Sequence, residues 1–287
     1  MRTWLVATSV AFGTAAVLLA LRRRRRSRPQ PLLPQPQHHY ARPDLPEGQR
    51  YKFAVVHGLA YPPSVLEQAV DECREQLVSR DTDIWVTTFP KCGTTLMQQI
   101  VLLLLRSGEP DGIDLGMTGE QTPWVEQIIS GRGGPDKNMG WLDMLQPRRV
   151  FKTHAPRHLF PCVPGRSSAC TSSGSRIVVV CRNPRDAAVS MYHHARDKKV
   201  FEYTDGKWAD FFKLFLGGNV ESGCFFEWHR AWWKVAKADP EQILWLHYED
   251  LVATPCMYCR SRTHPTPTRA AQPPIWGPST HDPRRGP

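Results

Sequence analysis

Residues Thr88-Phe89-Pro90-Lys91-Cys92-Gly93-Thr94-Thr95-Leu96 join two segments of opposite character. Before them, Asp83-Ile84-Trp85-Val86-Thr87 has the β-branched and aromatic content of a strand. After them, Met97 to Leu105 is an apolar run suited to a helix. A short loop of small residues between a strand and a helix start commits the chain to a βα unit. It also forms an anion cradle, because the first N–H groups of the helix lack partners and the helix dipole is positive there. Lys91 adds a mobile cation, and Thr94 and Thr95 add hydroxyl donors. The order is not G-x-x-x-x-G-K-[ST], since the lysine comes before the glycine.

The alternation continues along the chain. Arg149-Val150-Phe151-Lys152 reads as a short strand, and Arg176-Ile177-Val178-Val179-Val180-Cys181 as an apolar strand of the kind found in parallel sheets. Ile243-Leu244-Trp245-Leu246-His247-Tyr248 reads as a further buried strand. Helical spacing predicts a helix over Ser64 to Ser79, with Ser64 and Glu67 as a capping box. Further helices are predicted from Pro184 to about His194, over Lys207 to Leu216 and over Phe225 to Ala238. Strands alternating with helices specify an α/β fold, a single domain whose central parallel sheet is flanked by helices. That domain is expected over residues 51–255. Residues 22–50, rich in Arg, Pro and Gln, read as a linker, and residues 256–287 as an unrelated disordered tail.

The formal net charge of +10 does not mark a nucleic-acid-binding surface. Eight of the 37 basic residues precede Asp44 and all 27 acids lie at or after it, which leaves 29 bases against 27 acids, or +2, from there on. The basic excess belongs to the leader. Thr3 to Leu21 is an uncharged, mostly apolar run of 19 residues, followed by Arg22 to Arg26 and Arg28. Its length is close to the roughly 20 residues that span a bilayer. The arginines then place the domain in the cytoplasm, tethered to the membrane through residues 3–21. Organelle targeting is the alternative reading of an arginine-rich, acid-free leader, and a disordered leader is a third. The eight cysteines, with Cys92 in the anion loop and Cys181 in a strand, suit a reduced compartment better than a disulfide framework. Cys256-x-x-Cys259 with His264 and His281 is a poor zinc set.

Two more constellations bear chemistry. Lys152-Thr153-His154-Ala155-Pro156 puts a base and a cation at a strand end, though alone it reads more readily as a structural loop histidine. Arg182-Asn183-Pro184-Arg185-Asp186-Ala187-Ala188-Val189-Ser190-Met191-Tyr192-His193-His194 places an arginine at a strand end and a serine two turns into the following helix. Guanidinium and hydroxyl could converge on one phosphate. Together with P-K-x-G-T-T, these segments resemble the cytosolic-type sulfotransferases, which use 3′-phosphoadenosine 5′-phosphosulfate (PAPS). The matching motifs are K-T-H-x-P and R-N-P-x-D-x-x-V-S-x-Y-x-H. Phe215 to Gly223, Trp232-Trp233 and Tyr248-Glu249-Asp250 are similar to later family segments. The resemblance covers about residues 51–255, in the family's motif order.

That resemblance implies a sulfuryl transfer to the hydroxyl or amine of a small phenol, alcohol, steroid or amine, without a metal. His154 would be the catalytic base, and Lys91 and Lys152 would stabilise charge on the transferring group. Gly93, Thr94 and Thr95 would hold the 5′-phosphate, and Arg182 and Ser190 the 3′-phosphate. Tyr248 would lie near the nucleotide, and residues 111–141 would line the acceptor pocket. Cys92 stands where the family has a serine, and Leu96 where it has a tryptophan on the adenine. The family's closing R-K-G-x-x-G-D-W segment and its C-terminal dimer motif are not found, so the chain reads as a C-terminally truncated member not expected to dimerise by that route. A catalytically inactive nucleotide-binding remnant is the alternative. A P-loop nucleotide kinase or NTPase is disfavoured by the position of Lys91.

Overall fold

A computed structural model of the chain describes residues 38–113, 118–161 and 174–253. The leader at 1–21, most of the 22–50 stretch, the 256–287 tail and its Cys256, Cys259, His264 and His281 lie outside the described residues. Among the described residues no helix is long and apolar enough to cross a membrane. The chain divides into two compact units, one ending at Tyr248 and one beginning at Glu249. Of the second, the described residues are the helical stretch that ends at Ala253.

The first unit is built on a four-stranded parallel sheet of β4 (Ile84–Thr88), β5 (Val150–Thr153), β6 (Arg176–Cys181) and β7 (Ile243–His247). The strand order is β5-β4-β6-β7, so β4 has β5 on one side and β6 on the other. This is the central parallel sheet expected from the sequence. Trp85, Phe151 and Ile177 to Cys181 are all buried, as a sheet covered on both faces requires. Trp85 packs 4.8 Å from Phe151 and 4.9 Å from Phe160, whose ring lies 5.1 Å from Trp232. The strand β7 departs from the buried reading, because Ile243 and Leu246 are inside but Leu244 is 52 % exposed. Among the described residues β7 is an edge strand, paired with β6 alone.

A smaller antiparallel sheet, β1 (His38–Ala41), β2 (Tyr51–Val56) and β3 (Leu59–Tyr61), was not anticipated. β1 lies inside the stretch read as a linker. The chain turns back at Arg42 to Arg50 and pairs Ala41 with Tyr51. Its Tyr40 hydroxyl donates to Glu202 at 2.8 Å, and Tyr51 stacks on Phe201 at 5.3 Å. Composition could not show this, because the pairing is supplied by a neighbouring strand.

The helices sit close to where spacing placed them: Glu67–Gln76, Thr94–Leu105, Pro184–Asp197, Trp208–Leu216 and Phe225–Ala238. The capping box at Ser64 and Glu67 is not formed. Glu67 accepts the His57 N–H at 2.7 Å, the Ser64 hydroxyl accepts from Gln127 at 3.2 Å, and the helix begins only at Glu67. Both side chains are taken by tertiary partners before they can cap.

At the N-terminal end of the parallel sheet, Asp83 and Arg149 lock β4 to β5. Both side chains are fully buried, and Arg149 Nε donates to Asp83 at 2.9 Å. Arg149 also donates to the carbonyls of Val78 and Leu142, and the Arg80 N–H donates to Asp83 at 2.7 Å. The carboxylate is saturated, which is the condition for a buried ion pair to be tolerated. Arg149→Leu, which strands the carboxylate, should cost about 3–5 kcal/mol in urea unfolding. A loss below about 1 kcal/mol, the range of exposed pairs, would show that the pair is not a structural lock.

Candidate functional site

The register aligns the C-terminal ends of the strands. Thr87 pairs with Thr153, Thr88 with Val180, and Cys181 with His247. The residues that follow therefore emerge on one edge of the sheet: the 89–93 loop, His154, Arg182 and Tyr248. This edge, where β4 sends the chain one way and β6 lies on the other side, is where ligands bind in parallel α/β sheets.

The loop is set by two left-handed residues, Lys91 at φ 68° and Gly93 at φ 97°. Lys91 tolerates that region at some cost, as a non-glycine residue held there does. Gly93 has no alternative: a Cβ there would lie 2.5 Å from the Tyr248 ring. The Gly93 carbonyl accepts from Met97, so the helix starts at once and its first N–H groups face the loop. Arg182 closes the other side. It donates to the Lys91 carbonyl at 2.9 Å, its guanidinium lies 4.4 Å over the Tyr248 ring, and its Nε is buried with no partner among the described residues.

His154 follows β5 directly and is buried. Its Nδ1 lies 2.8 Å from the Thr88 carbonyl oxygen. A carbonyl can only accept, so Nδ1 carries the proton and Nε2 keeps its lone pair. The Thr88 hydroxyl is 2.6 Å from that of Thr94, tying β4 to the helix start. Two buried indoles fix the histidine backbone: Trp228 donates to the His154 carbonyl at 3.1 Å and Trp232 to that of Ala155 at 3.2 Å. Burial, then Lys152, holds the His154 imidazole well below its ordinary range, so the ring is neutral at neutral pH. Trp124 packs edge-on against His154 at 4.7 Å, and Lys152 Nζ lies 4.5 Å from the Trp124 ring centre.

Positive charge accumulates here. Burial brings Lys152 down to about 8, and it also lowers Lys91. His194 falls to about 4, through burial and then Lys91 and Lys198. Two buried carboxylates face this charge. Glu126, whose Oε1 accepts from the Thr153 hydroxyl, is raised by burial to about 7. Glu221 is raised likewise to about 7, with Lys152 and Lys91 pulling it back.

The sequence candidates thus divide. Lys91, Gly93, Thr94, Lys152, His154, Arg182 and Tyr248 are brought to one edge. The Thr95 side chain is exposed and Leu96 half-buried on the first helical turn. Cys92 is buried in the apolar core with its N–H on the Phe89 carbonyl. Ser190 is half-buried on the Pro184–Asp197 helix, without a hydrogen bond to Arg182 or the loop among the described residues. From the 111–141 segment, Trp124 reaches the site, while residues 114–117 lie outside the described residues. Sequence reasoning gave Thr88 no role of its own, named Trp124 and Glu126 only within the 111–141 segment, and missed Glu221. A glutamate at the start of the apolar Val125–Ile129 helix, and one in a glycine-rich turn, carry no spacing signal.

Comparison with known proteins agrees with this geometry. The family model described as a sulfotransferase domain matches residues 81–257. A 3-alpha-hydroxysteroid sulfotransferase of Cavia porcellus is 30% identical over 199 residues, which cover 68% of this chain and 60% of that protein. Sulfotransferase 2B1 of Mus musculus is 33% identical over 172 residues, 60% of this chain and 46% of the relative. The chain thus spans about half to three fifths of the length of these relatives. A crystal structure of mouse sulfotransferase SULT7A1 complexed with PAP superposes with a TM-score of 0.58 at 24% identity, covering 74% of this chain and 67% of that one. Retinol dehydratase in complex with androsterone and inactive cofactor PAP gives 0.57 at 20% identity, covering 81% and 74%. Both show the same fold.

Because Glu126 has a folded-state value above its unfolded one, the proton it holds stabilises the fold at acid pH. That contribution is lost as pH rises through about 7. Glu126→Gln removes this dependence, so the Tm of the variant minus that of the wild type should rise between about pH 4.5 and 7.5. A difference independent of pH would refute the raised carboxyl. A matching family model over most of the chain, on a parallel sheet whose aligned strand ends carry the P-K-x-G-T-T loop, K-T-H and R-N-P segments, makes this chain a member of the sulfotransferase family.

Proposed function

We propose that the chain transfers a sulfuryl group from PAPS to the hydroxyl or amine of a small acceptor. The observation that carries the reading is His154, neutral, with Nδ1 committed to the Thr88 carbonyl and Nε2 free, beside Lys152 and at the mouth of the Lys91–Thr95 cradle. The residues suit a nucleotide with two anionic ends. The cradle can take one phosphate on the N–H groups of Gly93, Thr94 and Thr95. Arg182, with its buried Nε lacking a partner, can take the other, with Ser190. PAP in the superposed SULT7A1 and retinol dehydratase structures supports that donor.

Bound PAPS supplies an activated sulfuryl group on its 5′-phosphate. The chain does the rest by position and charge. His154 Nε2 takes the acceptor proton, and the Nδ1–H bond to Thr88 steadies the imidazolium that forms. Lys152 and Lys91 oppose the negative charge that develops between donor and acceptor. Trp124 walls the space beside His154 and favours an apolar acceptor body. A relative named for a hydroxysteroid and a neighbour holding androsterone point the same way. We assign the activity to the domain expected over residues 51–255.

Calorimetric titration of the full chain with PAP tests the donor half. Micromolar binding is expected, lost in Arg182→Ala, and no binding by a folded sample would refute the reading. Leu96→Trp should tighten PAP by about 1–3 kcal/mol, the worth of a base–aromatic stack. With a hydroxysteroid or phenol acceptor, His154→Ala should lower kcat on the order of 10²–10⁴-fold. Turnover within a few-fold of wild type would remove the histidine from the mechanism, and PAP binding without turnover in the wild type would favour a nucleotide-binding remnant.

A further inference from the structure

β5 ends at Thr153, and the turn from Thr153 to Ala155 carries hydrogen bonds that the proposed transfer does not use. The peptide between His154 and Ala155 has two polar ends, and both are held. Its carbonyl accepts from the Trp228 indole at 3.1 Å, and its N–H donates to the Thr153 hydroxyl oxygen at 3.0 Å. The next peptide runs into Pro156 and has no N–H, so its carbonyl alone needs a partner, which Trp232 supplies at 3.2 Å. A planar peptide held at both ends cannot turn without breaking a bond, and its plane sets the ψ of His154.

The Thr153 hydroxyl can hold that N–H only if its own proton goes elsewhere, because a hydroxyl has one proton and two lone pairs. Ala155 takes a lone pair, and the proton goes to Glu126 Oε1. Thr153 and Glu126 are fully buried, so bulk water cannot stand in for the acceptor. The chain before Glu126 sets it in place. The Lys152 N–H donates to the Pro123 carbonyl at 2.9 Å, and Trp124 pairs with Lys152 in a parallel bridge, which lays residues 123–126 beside β5. From there Trp124 meets the His154 ring and Glu126 meets Thr153. The Glu126 carbonyl accepts the N–H of Ser130 at 3.0 Å and its hydroxyl at 2.7 Å, which fixes the backbone behind the carboxyl. Its other oxygen, Oε2, is buried without a hydrogen-bond partner among the described residues. A carboxyl buried for one hydroxyl is costly unless that contact is needed.

We infer that Glu126 and Thr153 are positioning residues: the carboxyl aims the Thr153 hydroxyl, the hydroxyl holds the 154–155 peptide, and that peptide keeps the His154 imidazole on the Thr88 carbonyl with Nε2 left for the acceptor. The contact needs no charge, because the carbonyl oxygen of a neutral carboxyl also accepts. Glutamine can therefore replace Glu126 here, and leucine cannot. Both residues act through His154 and not on the transferring group. That the histidine serves as a base rests on the sulfotransfer reading, but the clamp on its backbone does not.

Two measurements test the clamp. The first needs no ligand: the full-length protein is made with isotopically labelled histidine, and the ring nitrogens of His154 are read by NMR, identified by their loss in His154→Gln. Wild type should show one fixed tautomer, protonated at Nδ1. Thr153→Val keeps the side-chain shape and deletes the hydroxyl, and it should give the averaged signals of two interchanging tautomers, as should Glu126→Leu. Thr153→Ser and Glu126→Gln keep the hydroxyl and the accepting oxygen, and both should keep the fixed tautomer. A fixed tautomer in Thr153→Val overturns the inference, and so does its loss in all four variants alike, which would mark a packing defect. The second measurement is turnover with PAPS and a hydroxysteroid acceptor. Thr153→Val should lower kcat about 10–10²-fold, the scale of a misplaced reacting group, with PAP affinity within a few-fold of wild type. Thr153→Ser should recover most of that loss. An unchanged kcat, or an equal loss of PAP affinity that serine does not recover, refutes the positioning role. If Thr153→Val does not fold, Thr153→Cys decides, since a thiol is a weak donor and acceptor. A partial loss of the fixed tautomer is then expected, and none refutes the clamp. The predicted tautomer changes around a wild type that never turns over would sink the sulfotransfer reading and leave the clamp standing.

Discussion

The parallel pairing of β4 with both of its neighbours is the constraint from which the site follows. A strand hydrogen-bonded in register to β5 and β6 brings three chain segments far apart in sequence to one edge. Parallel pairing puts like ends together, so whatever follows each strand must meet. The buried Asp83–Arg149 pair secures the opposite end, where β4 and β5 begin. The sheet therefore works as a ruler: fixing one end by a saturated ion pair sets the separation of Thr88 and His154 at the other.

Electrostatics gives that edge its chemistry. Two lysines, an arginine and a helix N-terminus converge in a partly buried region, where each raises the cost of the others' charge. Burial, and then Lys152, keeps His154 neutral, which a base requires, and its tautomer is set by a carbonyl that can only accept. The buried carboxylates limit the accumulation.

Much of this was legible in the sequence for a simple reason. The anion loop, the K-T-H segment and the R-N-P segment each follow an apolar strand directly, so local pattern fixes both the element and the position of the chemical group at its end. What was not legible depends on partners distant along the chain. β1 is a strand because β2 lies beside it, and Ser64 fails as a cap because Gln127 reaches it first. Leu244 is exposed although it lies in an apolar strand, because its face of β7 is left uncovered among the described residues. Glu126 and Glu221 look like ordinary acids in a helix and a turn, and only three-dimensional packing shows them to be buried beside lysine. Cys92 is a motif position that also packs in the apolar core.

Trp228 and Trp232 are fully buried in the core. Yet each indole spends its single N–H on a carbonyl of the His154–Ala155 backbone. The helix that carries them begins some seventy residues after the histidine and makes no other claim on the reaction. Placement of the base is thus stored in the packing of distant aromatic rings. A loosened interior would blur the aim of the imidazole while leaving every motif intact, so the fidelity of this site is a property of its hydrophobic interior and not of its signature residues alone.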